Sequence, residues 1–137
     1  MFTSTTIHDF QDVFIADETF KELRGRKMSY QELLKYPILM LDKNSTTSEY
    51  LHALFQQHQL DLVPEVELSR NDLLIDLARI GLGIAFIPDY CLTKMPEDLF
   101  LLEMKEELPK RKLALAYNSH VPVSKAAVEF MHLLQPV

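Results

Sequence analysis

The chain has 137 residues, which is enough for about one domain. Its 47% apolar and 25% charged residues are typical of a globular protein and exclude a disordered or collagen-like chain. Twenty acidic residues against fourteen basic ones give a net charge of −6, which argues against a nucleic-acid-binding face, since phosphate contacts need clustered Lys and Arg. Cys91 is the single cysteine, so an internal disulfide is excluded and a closed thiolate zinc site is disfavoured.

The apolar stretches of the chain are short. The longest, residues 80–88, falls well below the length of a membrane-spanning helix and contains Gly and Pro. The first ten residues, MFTSTTIHDF, lack the basic region and apolar core of a signal peptide. We therefore expect a cytoplasmic protein with no membrane contact.

Short apolar runs alternate with amphipathic stretches, a pattern that predicts an α/β fold with a mostly parallel sheet flanked by helices. One predicted strand, residues 63–68, alternates in polarity and should place Glu65 and Glu67 on one exposed face. The other predicted strands are residues 13–16, 38–41, 83–87, 99–103 and 112–117.

Capping patterns predict where the first two helices begin. Ser29 and Glu32 form a capping box at the start of a short helix. Thr46 and Glu49 fit a second capping box, so the next helix should begin near Thr47. The residues of that helix that recur on one face are Tyr50, Leu51, Leu54, Phe55 and His58.

Two further helices follow. The third helix is predicted to begin at Ser69, with Asp72 three residues on, and to end at Gly81 in a left-handed cap. Its buried side should carry Leu73, Leu74, Leu77 and Ile80. The last helix is predicted over residues 123–134.

Few residues indicate catalysis or metal binding. Gly81 and Gly83 lie between a helix and a strand, whereas a dinucleotide fingerprint needs its glycines between a strand and a helix. No two of the five histidines stand three or four residues apart, the spacing of paired metal ligands on a helix, and no serine has the glycine-flanked elbow of a hydrolase. Cys91 fits a small buried residue better than a reactive thiol. We expect no enzyme activity, no cofactor and no metal site.

Two mainly polar clusters each follow a predicted strand and precede a helix. At the carboxyl ends of parallel strands ligands bind in a crevice, and helix N-termini there offer free amides and a partial positive charge that suit a small carboxylate. The alternative is that these residues only cap the helices. The predicted ligand-binding residues are Asn44, Ser45, Thr46, Thr47, Ser69, Arg70 and Asn71.

An ordered set of motifs spans nearly the whole chain. The most specific is the stretch of residues 77–88, LARIGLGIAFIP, in which a helix is followed by Gly-x-Gly-Ile and a strand closed by Pro. In these motifs the chain resembles the effector-binding domain of LysR-type transcriptional regulators. The other matching segments are residues 36–39 (YPIL), the Ser45-Thr46 turn, Pro64, Glu67, Ser69, residues 111–117 (RKLALAY) and Phe130.

The resemblance implies a periplasmic-binding-protein-like (type 2) fold, in which crossing strands join two α/β lobes that hold the effector between them. It assigns this chain the second lobe (about 17–112), the crossing strands (about 13–16 and 113–117) and the last helix (about 123–134). The family's DNA-binding helix-turn-helix has no counterpart in these assignments.

The same resemblance implies that residues 44–47 and 69–71 belong to loops that face the effector. The implied function is effector sensing in a bacterial regulator: a small acidic metabolite binds in the interlobe cleft, and the signal passes to the DNA-binding region. Glu49 lies near a position that is often basic in the family, which leaves the charge of the effector open. The alternative is the ligand-binding lobe of an enzyme or solute-binding protein of the same fold.

Sensor domains of this family pair side by side, so the resemblance also implies a homodimer or larger homo-oligomer. The helix over residues 47–58 is the candidate contact, because its apolar residues lack a charged outer face. The alternative is that these residues cover the chain's own sheet.

Overall fold

The computed structural model describes residues 2–92 and 94–118, with side chains described for residues 9–92 and 94–112. The predicted helix over residues 123–134 lies outside them. In chain order the elements are β1 (Phe2–Ala16), β2 (Lys27–Met28), α1 (Tyr30–Leu33), β3 (Ile38–Leu41), α2 (Thr46–Gln57), β4 (Val66–Leu68), α3 (Asn71–Arg79), β5 (Ile84–Pro88), β6 (Phe100–Leu101), β7 (Glu103–Met104) and β8 (Lys110–Asn118), with 3₁₀ segments at Glu18–Leu23 and Asp89–Cys91.

The chain divides into two compact units. One is Asp12–Pro109, and the other includes residues 2–11 and residues 110–118. In the latter, β1 and β8 pair antiparallel in a register that sets Phe2 opposite Asn118. The predicted strands at 13–16 and 113–117 thus fall within longer strands.

The main sheet of the Asp12–Pro109 unit has the strand order β4-β3-β5-β1-β6. β3 is parallel to both β4 and β5, whereas β1 is antiparallel to β5 and β6. The predicted parallel arrangement therefore holds for β4, β3 and β5. The sheet is mixed because β1 runs against its neighbours.

Helices cover both faces of the central strands, because β3 and β5 are apolar on both sides. One face packs against α2 in a cluster that includes Phe14, Met40, Phe86, Leu51 and Phe55. The opposite face packs against α3 in a cluster that includes Leu39, Ala85, Ile87, Leu74 and Ala78. Alternate residues of β3 fall into different clusters, as the two-residue period of a strand requires.

The capping box of α1 is confirmed. The Oγ of Ser29 accepts the Glu32 N–H at 3.1 Å, and the Oε1 of Glu32 accepts the Ser29 N–H at 3.2 Å. The prediction for α2 was one residue late, because Ser45 rather than Thr46 is its N-cap: the Oγ of Ser45 accepts the Ser48 N–H at 2.9 Å.

Helix α3 differs from its prediction at its start and on its exposed side. It begins at Asn71, and no side chain caps its N-terminus. Leu74 is buried as predicted, but Leu73 and Ile80 are 39% and 75% exposed, so their predicted burial was wrong. With about 3.6 residues per turn, positions 73 and 80 lie about 100–120° around the helix from Leu74, beyond the narrow stripe that touches the sheet.

Two glycines fix the connection from α3 to β5. Gly81 has a φ of 80°, which confirms the predicted left-handed cap. Gly83 lies where β3 approaches closely, since a Cβ there would be 2.6 Å from the carbonyl oxygen of Pro37.

The apolar residues of α2 serve the chain's own core. Leu51, Leu54 and Phe55 are buried, and the half-buried Tyr50 packs against the same cluster. The predicted contact face on this helix is therefore taken up by the sheet, which was the alternative interpretation.

Candidate functional site

The loop from β3 to α2 and the loop from β4 to α3 begin side by side. In the parallel pair Leu41 lies opposite Leu68. The next residue, Asp42, donates its N–H to the carbonyl oxygen of Leu68 at 2.8 Å. The pairing thus brings the two predicted clusters, residues 44–47 and 69–71, to the carboxyl-end edge of neighbouring strands.

Asp42 shapes the first loop. Its Oδ1 accepts the Asn44 N–H at 3.1 Å, and its carbonyl oxygen accepts the Ser45 N–H at 3.1 Å. An aspartate that accepts a hydrogen bond from the amide two residues on forms an Asx turn, which reverses the chain before a helix. Sequence reasoning omitted Asp42, although an Asp two residues before Asn is a turn signal.

The first turn of α2 presents donors to this edge. The Ser45 side chain satisfies the Ser48 N–H, and helix geometry leaves the Thr46 and Thr47 amides without an intrahelical acceptor. Asn44 and Thr46 are exposed, Ser45 is half-buried and Thr47 is buried. The helix dipole adds a partial positive charge at these amides, which suits an anion.

The second loop holds a buried acceptor and an exposed cation. The Oδ1 of Asn71 is buried and has no hydrogen-bond partner among the described residues. Ser69 and Arg70 are exposed. An unpaired buried acceptor costs about 1–3 kcal/mol, which a bound hydrogen-bond donor would recover.

Arg70 is paired with Asp72. Its Nε donates to Asp72 Oδ1 at 3.0 Å, and its Nη2 contacts the second carboxylate oxygen. The hydrogen bond from Arg70 lowers the pKa of Asp72 below its usual range. Both side chains are exposed, and an ion pair at the surface contributes little, so the guanidinium is available to an anion at small cost.

Ser48 is a residue that the sequence analysis missed. It is 1% exposed, and its Oγ has no hydrogen-bond partner among the described residues. It lines a shallow groove of about 350 Å³ along α2 together with Lys43, Glu49, His52, Ala53 and Gln56. A second cleft, of about 300 Å³, lies near the other end of α2. Neither cavity is lined by any of the seven predicted residues, which lie on an open edge.

The described residues offer little for catalysis. They contain no group of three or more His, Cys, Asp or Glu side chains placed to hold a metal ion. Burial raises the pKa of the Cys91 thiol, and the nearby charges of Asp89 and Asp12 raise it further, which keeps the thiol protonated. Within the same residues, none of the helices combines the length and apolar character needed to cross a membrane.

The chain matches a known family. The family model described as the LysR substrate binding domain covers residues 2–137. The chain belongs to this family. A curated relative, the HTH-type transcriptional activator CmpR of Synechocystis sp., is 28% identical over 80 residues, which are 58% of this chain and 26% of CmpR.

Solved structures of LysR effector-binding domains share the fold. The CcmR regulatory domain of Synechocystis, solved in complex with 2-PG, superposes with a TM-score of 0.80 at 23% identity, over 97% of this chain and 65% of that one. The effector-binding domain of QuiR, solved in complex with shikimate, has a TM-score of 0.75 at 14% identity, over 97% of this chain and 63% of that one. This LysR chain thus spans less than two thirds of the length of each of these relatives.

Proposed function

We propose that this LysR chain is the effector-sensing lobe of a bacterial transcription regulator, without catalytic activity of its own. The effector is a small acid that binds at the edge formed by residues 44–47 and 69–71, in a cleft between two lobes. Binding is passed to a DNA-contacting region that lies elsewhere in the regulator. A cytoplasmic location follows from this role.

The observation that carries the proposal is the hydrogen bond from the Asp42 N–H to the carbonyl oxygen of Leu68, which aligns the two loops. It sets the free amides of Thr46 and Thr47 near the edge that also holds Arg70 and Asn71. A carboxylate at the start of α2 would receive hydrogen bonds from these amides. The family relatives solved with 2-PG and shikimate support a small-molecule role.

The buried Oδ1 of Asn71 refines the ligand class. An acceptor without a partner favours a ligand that brings a donor, because an unmade hydrogen bond in a buried position is costly. A small acid that also carries a hydroxyl group satisfies both loops. We therefore favour hydroxylated acids over simple ones.

An NMR titration of the ¹⁵N-labelled chain tests this site, with 2-PG, shikimate and the uncharged methyl ester of shikimate as probes. We expect at least one acid to shift the amides of residues 42–48 and 69–72, while the ester does not. The affinity should be no tighter than about millimolar, near −4 kcal/mol, because one lobe leaves half of the ligand in water. If neither acid moves these amides at tens of millimolar, the site is refuted. Micromolar binding would refute the proposal that this lobe supplies only half of the contacts to the ligand.

DNA binding tests the other part of the proposal. With a net charge of −6, the chain should show no specific operator binding, and any weak association should vanish as salt rises. A nanomolar footprint produced by this chain at physiological salt would contradict the proposal that the DNA-contacting region lies elsewhere in the regulator.

A further inference from the structure

A cleft of about 300 Å³ opens where the two-stranded sheet ends. β2 and β7 pair in parallel, so the segments that follow them, residues 29–31 and 105–106, form two neighbouring walls. His58 and Leu60, just beyond α2, form the third wall. A volume of this size lies at the lower end of the range for small-molecule sites.

The cleft is separate from the proposed effector edge. Ser45 caps the beginning of α2 and His58 caps its end. At about 1.5 Å per residue, a helix of this length holds its ends about 18 Å apart. A ligand here would be a second one.

The floor of the cleft is apolar and well packed. Met28 is fully buried, and Leu60 and Met104 are half-buried. The ring of Tyr30, which is 5% exposed, lies 5.4 Å from the ring of Phe55 and 4.7 Å from that of His58. Contacts of this kind hold an aromatic side chain in place before a ligand arrives.

Two charges of opposite sign stand side by side on the rim. Lys105 and Glu106 are consecutive and both line the cleft. The Nζ of Lys105 lies 3.4 Å from Glu32 Oε1, and the Nε2 of His58 lies 3.3 Å from Glu106 Oε2. The Lys105 and Glu106 side chains are 60% and 67% exposed, and such pairs contribute little to stability, so either charge can turn to a ligand at small cost.

Other groups suit a ligand with both charges. Burial and the charge of Glu106 raise the pKa of Tyr30 to about 12, so the phenol keeps its proton and stays a neutral hydrogen-bond donor. The C-terminal end of α2 at His58 favours a positive group. Glu106 supplies the matching negative charge.

We propose that this cleft binds a small zwitterion with an apolar side chain, the chemistry of a free apolar α-amino acid. The ammonium group pairs with Glu106 beside the Tyr30 and His58 rings, and the carboxylate pairs with Lys105. The apolar side chain lies on the floor. A ligand with one charge would be attracted by one rim residue and repelled by the next, so it binds less well.

A titration of the ¹⁵N-labelled chain with L-leucine, L-methionine and L-phenylalanine tests the cleft. At least one of them should shift the amides of residues 28–31, 58–60 and 104–106 and leave those of residues 44–47 unmoved. 4-Methylpentanoate and isoamylamine, which each lack one charge of leucine, should bind at least about tenfold more weakly than leucine. The proposal fails if none of the three amino acids moves these amides, or if either analogue equals leucine.

Charge variants identify the residues. Glu106→Gln and Lys105→Met should each weaken amino-acid binding about tenfold or more. Glu107→Gln and Lys27→Met make the same changes at exposed neighbours that do not line the cleft, and they should leave binding unchanged. Equal loss in site variants and controls would show a general charge effect and refute the assignment. These measurements do not depend on binding at the effector edge, which is followed through the amides of residues 42–48 and 69–72.

Discussion

Replacing Ser45 with aspartate separates the capping role of this residue from the proposed binding role. Its Oγ accepts the Ser48 N–H at 2.9 Å. Aspartate caps helices about as well as serine, and its charge adds about 0.3–1 kcal/mol at a helix N-terminus. The free energy of unfolding of Ser45→Asp should therefore equal or slightly exceed that of the wild type.

Effector binding should respond in the opposite direction. The new carboxylate lies beside the Thr46 and Thr47 amides, where the effector carboxylate is proposed to bind. Two unit charges about 4 Å apart repel by about 4 kcal/mol at an effective dielectric constant of about 20. Even a third of that, about 1.4 kcal/mol, weakens binding about tenfold, which a titration that reaches tens of millimolar acid detects.

Two further variants complete the experiment. Ser45→Asn keeps the cap without the charge and should bind the acid within a few-fold of the wild type. Ser45→Ala loses the cap, about 1 kcal/mol, and should unfold about 3–4 °C lower. Urea and thermal unfolding followed by circular dichroism measure stability, and the NMR titration measures binding. If Ser45→Asp binds the acid as well as Ser45→Asn does, the effector carboxylate does not sit at the start of α2.

Three other outcomes are expected. Gly83→Ala should lower stability by about 1–3 kcal/mol in urea unfolding, because its Cβ would lie 2.6 Å from the Pro37 carbonyl oxygen, and an unchanged midpoint would contradict this close approach. Capping hydrogen bonds lower the pKa of Glu32 below its usual value of 4.5. The stability that the Glu32 carboxylate contributes is therefore present above pH 4.5 and is lost as the pH falls through the lowered pKa. Glu32→Gln should flatten this acid dependence of the urea midpoint. Leu73 and Ile80 form an exposed apolar stripe on one side of α3, which suits a contact between copies of the chain. A homo-oligomer seen by light scattering should therefore dissociate in the Leu73→Glu, Ile80→Glu double variant. If the oligomer persists in this variant, the contact between copies lies elsewhere.

Local signals predicted the elements that depend on nearby residues. The capping box of Ser29 and Glu32 is complete within four residues, so the sequence alone determines it. The buried strands β3 and β5 were found for the same reason, since each is a continuous apolar run. The choice of Ser45 over Thr46 was missed because it depends on where the turn made by Asp42 ends, and a capping pattern does not include that turn.

The exposed side of α3 could not be read from its pattern. Leu73, Leu74 and Ile80 are equally apolar, and the helix touches the sheet through a stripe that includes only Leu74 among them. The orientation of the helix about its axis comes from its packing against β3 and β5. Sequence periodicity gives the width of an apolar face but not the part of it that is covered.

The two candidate sites also differ in how far local sequence signals could predict them. The effector edge was predicted because each loop carries its own signal, a strand followed by polar residues and a helix start. The second cleft draws its walls from residues 28–31, 58–60 and 104–106, which meet only after β2 pairs with β7. None of these segments has a ligand-binding motif, so only the fold reveals them together.

Helix α2 links the chemistry proposed for its two ends. Its dipole places a partial positive charge at the Thr46 and Thr47 amides and a partial negative charge near His58. The first end therefore suits the carboxylate of an acid, and the second suits an ammonium group, which Glu106 reinforces. The negative charge of the chain as a whole does not oppose the acid, because charges beyond about 10 Å are largely screened at physiological salt while the amides of the helix act at contact distance. In both proposed sites, the charge of the ligand is thus set by the nearby end of this helix and not by the net charge of the protein.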